Sequence, residues 1–329
     1  MTSIARRDMM AGLLAIGLPL QGCTSRAAAG LAGPAGAAAP LVVHGATMTV
    51  EIAAVLLAVR NLYPDGPPVK LGGVASLVGT EAVADVATNA ETQALRYSVA
   101  RPDVRIVMTL VEGHYRIVAR RSAGIAALAD LRGKRIATLQ FTSADYFLAK
   151  MLDHAGLTPA EVDVRQVMPL QDMVTGIANH DLDAVAIWEP FSENAVRALG
   201  SDAIEFSGKG IYQELFNVNT TAGALADPQK RGEIVRLLRA IIAANEAMNR
   251  DPAEGQAAVA ASGGYTIEEV RQCWPHHGFV ASFADDMLDT LVEEEVWLAG
   301  RENRPPRTRA QLAPLIDRSV YEEARSRPG

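Results

Sequence analysis

Cysteine is scarce: the 329 residues hold two, Cys23 and Cys273. Cys23 closes an N-terminal leader, so Cys273 has no partner. An internal disulfide is excluded and a buried thiol is expected at Cys273. The apolar stretch Met9–Leu20 is about half the ~20 residues that a membrane-crossing helix needs. Basic clusters are missing, and 31 Lys and Arg against 38 Asp and Glu give a formal charge of −7. A mildly acidic chain of this kind argues against nucleic acid as a partner. Metal-ligand spacing is absent too. His276 and His277 are adjacent, so their side chains diverge on a helix or strand, with no Cys or acid at ligand spacing nearby. There is no nucleophile elbow, Walker loop, dinucleotide fingerprint or internal repeat. These absences leave no cofactor, no metal and no assembled catalytic set to expect.

What is present begins with a targeting segment. Arg6 and Arg7 form a short basic region ahead of the uncharged Met9–Leu20, and Leu20-Gln21-Gly22-Cys23 resembles a lipoprotein signal-peptidase site. In that scheme residues 1–22 are a signal peptide, and Cys23 is diacylated as the first residue of a periplasmic or cell-surface lipoprotein. Gln21 is an unusual occupant two positions before the cysteine; an ordinary cleaved signal is the alternative. Arg6-Arg7 also leaves twin-arginine export open beside the general route. Residues 23–39 make a flexible tether rich in Ala and Gly. Removing residues 1–22 leaves 29 basic residues against 37 acidic ones, or −8.

The body from residue 40 is about 290 residues long, enough for two lobes. Its clearest segment is Asp130–Phe191. Lys134–Leu139 reads as a strand, and Ser143 opens a helix with Phe147, Leu148, Met151, Leu152 and Ala155 on one face, stopped by Gly156. A strand at Val162–Val167, a helix at Leu170–Asn179 and a strand at Asp183–Trp188 follow. Alternation at this length predicts a parallel sheet covered by helices, with a ligand crevice beyond the carboxyl ends of its strands. Gln140 to Ser143 and Trp188 to Pro190 stand at that edge.

The same segment carries a family resemblance. Asp130–Ala137 (DLRGKRIA), the small polar helix start Thr142-Ser143, Ala155–Leu157 (AGL) and Asp183–Pro190 (DAVAIWEP) follow one another in a fixed order. Over about sixty residues this resembles the second lobe of the periplasmic substrate-binding proteins of ABC importers. The branch is the one holding the aliphatic-sulfonate, taurine and nitrate binders and the thiamine-pyrimidine-synthase-like proteins, and the resemblance continues more loosely from Val42 to about Ala299. It implies a type II periplasmic-binding-protein fold: two α/β lobes joined by two crossing segments, with a ligand cleft between them. The first lobe would span 40–121 and 220–300, the second 122–219, with a C-terminal tail at 301–329. The crossings are expected near Arg120–Gly124 and Asn217–Thr221. In the tail Leu312, Leu315 and Ile316 would dock and the rest would fray.

The implied function is a monomeric, lipid-tethered receptor that captures a small organic or oxyanion solute and delivers it to an ABC permease with its ATPase. An enzyme on the same fold is the alternative, with Glu112 and His114, or His44, as acid–base groups. The synthases of the family rely on a cysteine-rich segment, which this chain lacks. A sensor lipoprotein that no longer serves transport is a third reading.

Strand ends supply the candidate ligand-binding residues. In the first lobe they are His44 and Thr47, then Asn89, Glu91 and Thr92, then Glu112 and Tyr115. In the second they are Phe141, Thr142 and Ser143, with Trp188 and Glu189. Thr142-Ser143 at a helix start favours an anionic or carbonyl group, although every helix needs a cap there. Trp188 offers a flat apolar wall to which Tyr115, Phe141 and Tyr146 could add. Glu91 and Glu112 both fall at first-lobe strand ends, where Arg116 is the one obvious cation, and if no Lys or Arg lines the cleft with them they disfavour a doubly anionic ligand. That leaves room for an amine-bearing, zwitterionic or aromatic one.

Overall fold

The computed structural model describes residues 40–63, 68–79 and 82–326. The expected signal peptide, the lipidated Cys23 and the tether lie outside the described residues. Among the described residues eleven strands form two sheets. The strands are β1 (Val43–Gly45), β2 (Lys70–Leu71), β3 (Val86–Ala90), β4 (Val104–Gly113), β5 (Arg116–Arg120), β6 (Arg135–Thr138), β7 (Asp163–Gln166), β8 (Ala184–Ile187), β9 (Ala203–Ser207), β10 (Glu214–Thr221) and β11 (His277–Ser282). One sheet has the order β11-β4-β10-β3-β1-β2, the other β7-β6-β8-β5-β9. Each carries helices on its faces and encloses its own apolar core. The central strand β4 explains itself: Val104, Ile106, Val107, Met108, Leu110 and Val111 are all buried, as a strand covered on both faces requires.

Neither sheet is purely parallel. β1 runs parallel to β2 and β3, and β6 runs parallel to β7 and β8, as the alternating pattern predicts. The strands tied to the crossings break the rule. β10 enters antiparallel between β3 and β4, and β5 enters antiparallel between β8 and β9. A strand arriving from the other lobe meets the sheet from the opposite end, so its direction is reversed.

The crossings fall earlier than Arg120–Gly124 and Asn217–Thr221. The chain leaves the first sheet at Gly113, and Arg116 already pairs with Ile187 and Ser207 in the second. It returns through residues 208–213, so that Glu214 to Thr221 all belong to the first sheet. Arg116–Arg120 (RIVAR) is buried like the strand before it, and its apolar centre Ile117–Ala119 alone does not say which sheet it joins.

The helix Ser143–His154 buries Phe147, Leu148, Met151 and Leu152, and the chain leaves it at Gly156 with φ 68°, a left-handed turn that glycine allows without strain. The helix Pro228–Arg250 starts with proline at its first position, and Asp227 accepts the amides of Gln229 and Lys230. The described part of the C-terminal tail, to Ser326, does not fray. Leu312, Leu315, Val320, Tyr321 and Ala324 are buried in the first core, the helix Ser319–Arg325 packs on Pro228–Arg250, and Ile316 bridges to Ile106 of β4. Its charges are engaged as well: Arg304 and Arg307 both bond the buried Glu295. A Pro- and charge-rich composition read as loose because ion pairs and buried residues share the same short stretch.

The helix Met287–Arg301 lies across both lobes. Trp297 packs against both cores, Arg301 bonds Asp145 of the second lobe at 3.0 Å, and Lys150 pairs with Glu293. No described helix is long and apolar enough to cross a membrane.

Candidate functional site

Strand ends from both lobes converge on one cavity of about 220 Å³. Beyond β1 come Ala46, Thr49 and Glu51, the last on a short 3-10 turn, Val50–Ile52. From the end of β3 and the helix Glu91–Ser98 come Asn89, Ala90 and Gln93. The start of β10 gives Glu214 and Phe216. The other wall is Tyr115 at the outward crossing, Leu139, Thr142 and Ser143 after β6, and Trp188 after β8. A second, mainly apolar cavity of about 390 Å³ adjoins it, sharing Ala46, Thr49 and Trp188 and bounded outside by Met48, Leu71, Met168 and Tyr265.

Of the residues expected at the site, Asn89, Tyr115, Thr142, Ser143 and Trp188 line this cavity. The others stand behind or beside it. His44 is buried against Ser76, 3.0 Å from its hydroxyl. Thr47 is not among the lining residues, its carbonyl accepting from Ser262 Oγ, and its neighbours Ala46 and Thr49 line the cavity instead. Glu91 is fully buried, accepting from Tyr212 Oη at 2.6 Å and from the Leu215 amide at 2.8 Å. Thr92 donates to Glu294. Glu112 pairs opposite Leu215 and Gly278 in the first sheet. Glu189 is held by Arg116 at 2.9 Å, together with Glu193 and Glu205. Tyr146 is core, edge-on to Tyr212 and tilted against Trp297. In each case the strand end was placed by its pattern, but alternation and local twist decide which neighbour points inward.

Phe141 has a different role from the one expected. It leaves the ligand wall and packs toward the first core between the guanidinium groups of Arg96 and Arg301, 5.3 and 5.2 Å from its ring centre. Its backbone is left-handed (φ 59°), an outlier for a bulky residue, and is held by Asp145 Oδ2 on its amide and Gln93 on its carbonyl. Thr142 is the helix N-cap position by geometry. Its hydroxyl bonds Leu139 O at 2.6 Å rather than capping the helix.

The acids that do line the cavity are Glu51 and Glu214. A sequence signal for Glu51 existed: it is the single charge in the otherwise apolar run Val50–Val59. Glu214 had none, since it opens a strand that the pattern starts later. Tyr115 Oη donates to Glu214 Oε1 at 2.7 Å, and Ser143 Oγ lies 3.4 Å from the same oxygen. Burial and the nearby carboxylates of Glu51 and Glu91 push the Glu214 carboxyl well above its usual range. Burial acts the same way on Glu51, but the hydrogen bond and charge of His277, 3.6 Å away, outweigh it and hold Glu51 below the ordinary value. His277 is raised in return: burial lowers it, and Glu51 overcomes that. Glu51 at the cavity wall and His277 thus favour each other's charged forms, whereas the surroundings of Glu214 favour its neutral form. Cys273 is a buried free thiol, and neither it nor any histidine lines the cavity.

Two α/β lobes joined by two crossings, with a cleft at facing strand ends, define the class of two-lobed periplasmic binding proteins. The chain belongs to the NMT1/THI5-like family, whose sequence profile matches residues 67–255, more than half of its length. The family expected from Asp130–Pro190 is thereby found. No curated protein matches the sequence. Among solved structures, the alkanesulfonate-binding protein SsuA from Xanthomonas axonopodis pv. citri, bound to MOPS, is similar with a TM-score of 0.67 and 18% identity, over 85% of this chain and 98% of that one. The periplasmic aliphatic sulphonate binding protein SsuA from Escherichia coli gives a TM-score of 0.68 at 15% identity, over 83% and 91%. The desulfurization enzyme DSZB gives 0.60 at 15% identity, over 87% and 98%. At these identities the likeness is one of fold.

Proposed function

We propose that the protein is an extracytoplasmic solute-binding protein that captures a small organic molecule between its lobes and presents it to an ABC permease, tethered to the membrane through Cys23. The observation that carries this reading is the cavity itself. It is built from strand ends of both lobes, so a ligand there would touch both walls at once and favour their closure. The polar groups Asn89, Gln93, Thr142 and Ser143 and the ring of Trp188 give it the mixture of fixed hydrogen-bonding groups and apolar wall usual for small-molecule sites. Binding is favoured over catalysis because His44, His114 and Glu112, the acid–base candidates, are not among the cavity's lining residues.

A thermal-shift panel of sulfonates, nitrate, amines, pyrimidines and aromatic acids tests the reading, since a ligand that binds the native state alone raises its melting temperature. One stabilising class is expected, and no response across the panel would count against it. Trp188 is only half-buried. Trp188→Ala should therefore abolish the ligand-induced shift while leaving the unliganded melting point nearly intact; a large loss without ligand would make Trp188 a core residue.

A further inference from the structure

The acidic floor of the cleft indicates the charge of its ligand. Glu51 and Glu214 line the cavity, each is 2% exposed, and each leaves Oε2 without a hydrogen-bond partner. A buried acceptor left unmet is costly, so two of them at one cavity mark a place for donors that the chain does not supply. No Lys, Arg or His lines the cavity. The helix start at Ser143 is already engaged by the protein: Ser143 Oγ lies 3.4 Å from Glu214 Oε1. An anionic ligand would add negative charge to a floor that already crowds Glu51, Glu91 and Glu214. A ligand cation would instead relieve that crowding. Burial and those neighbours penalise the Glu214 carboxylate, and a cation seated beside it would favour its charged form. On the open side, Trp188 continues into the second cavity, walled by Met48, Leu71 and Met168.

We propose that the cleft selects an organic amine, with its protonated nitrogen seated between Glu51 and Glu214 and an apolar alkyl or aryl body lying along Trp188 toward Met48 and Met168. The proposal rests on the solute-binding reading and goes further by fixing the charge and shape of the solute.

A matched set tests it: 2-phenylethylamine, 2-phenylethanesulfonate and 2-phenylethanol, compared by calorimetry and thermal shift near neutral pH. The amine should bind roughly tenfold or more tighter than the alcohol, and the sulfonate should not bind. Glu214→Gln keeps an acceptor for Tyr115 and Ser143 and carries no charge. It should melt like the parent protein without ligand, yet lose amine affinity by about tenfold or more. Preference for the sulfonate, or amine binding unaltered by Glu214→Gln, overturns the amine assignment and leaves solute binding standing. If neither this set nor the wider panel shifts the protein, both readings fall.

Discussion

At the residue scale, buried carboxylates without cationic partners set the response to pH. Glu91 is hydrogen-bonded to Tyr212 and the Leu215 amide, and burial pushes its carboxyl up to about 7 from an ordinary 4.5. The native state then holds a proton that the unfolded chain releases. The stability contributed by this group is complete below the ordinary value and is lost as pH rises through about 7. Glu214 and Glu294 are raised as well, each by burial first and by neighbouring carboxylates second. Two acids act in the opposite sense. Asp183 is held at about 2 chiefly by its bonds to Arg135, and Glu295 at about 2 because Arg307 and Arg304 outweigh its burial. Their contribution fades as pH falls toward that value. The melting temperature should therefore peak in the mildly acidic range and decline toward neutral pH. Glu91→Gln should flatten the decline and leave the acid limb unchanged, which thermal unfolding across a pH series measures. A parallel decline in Glu91→Gln and parent would mean that Glu91 is not the group titrating.

At the scale of elements, much was legible. The helix opened near Ser143 and closed by Gly156, the long helix after Pro228, and the capping box of Thr266 and Glu269 all follow from local residue chemistry. Asp227→Ala should destabilise the protein by about 1 kcal/mol, the usual worth of an N-cap, and calorimetric melting would register it as a drop of a few degrees. No measurable change would mean that solvent serves those amides equally well. What the pattern could not supply was the sheet each strand joins. Ile117–Ala119 is as apolar as the core of β4, and only the pairing of Arg116–Arg120 with β8 and β9 places it in the second lobe.

At the scale of the molecule, the C-terminal segment completes the first lobe. Ending the chain after Asn303 would expose the sites of Leu312, Leu315 and Val320, worth about 1.5–3 kcal/mol each. It would also remove Arg304 and Arg307 from the fully buried Glu295, and breaking such a pair costs about 3–5 kcal/mol. Together these losses match the whole stability of an ordinary domain, about 5–15 kcal/mol. The truncated chain should show no cooperative thermal transition by circular dichroism, whereas a preserved transition would make the tail dispensable.

The sequence by itself determined the two-lobe α/β architecture, the family and the strand ends at which a cleft would open, because these depend on local periodicity, caps and short motifs. Tertiary structure decided which side chains face that cleft. Glu91 and Glu112, plausible from their strand-end positions, stand outside it, whereas Glu51 and Glu214 line it. The reason is geometric: along a strand or turn a shift of one residue reverses the direction of a side chain. The two glutamates also come from distant parts of the chain, and only the return of β10 between β3 and β4 brings them to one cavity.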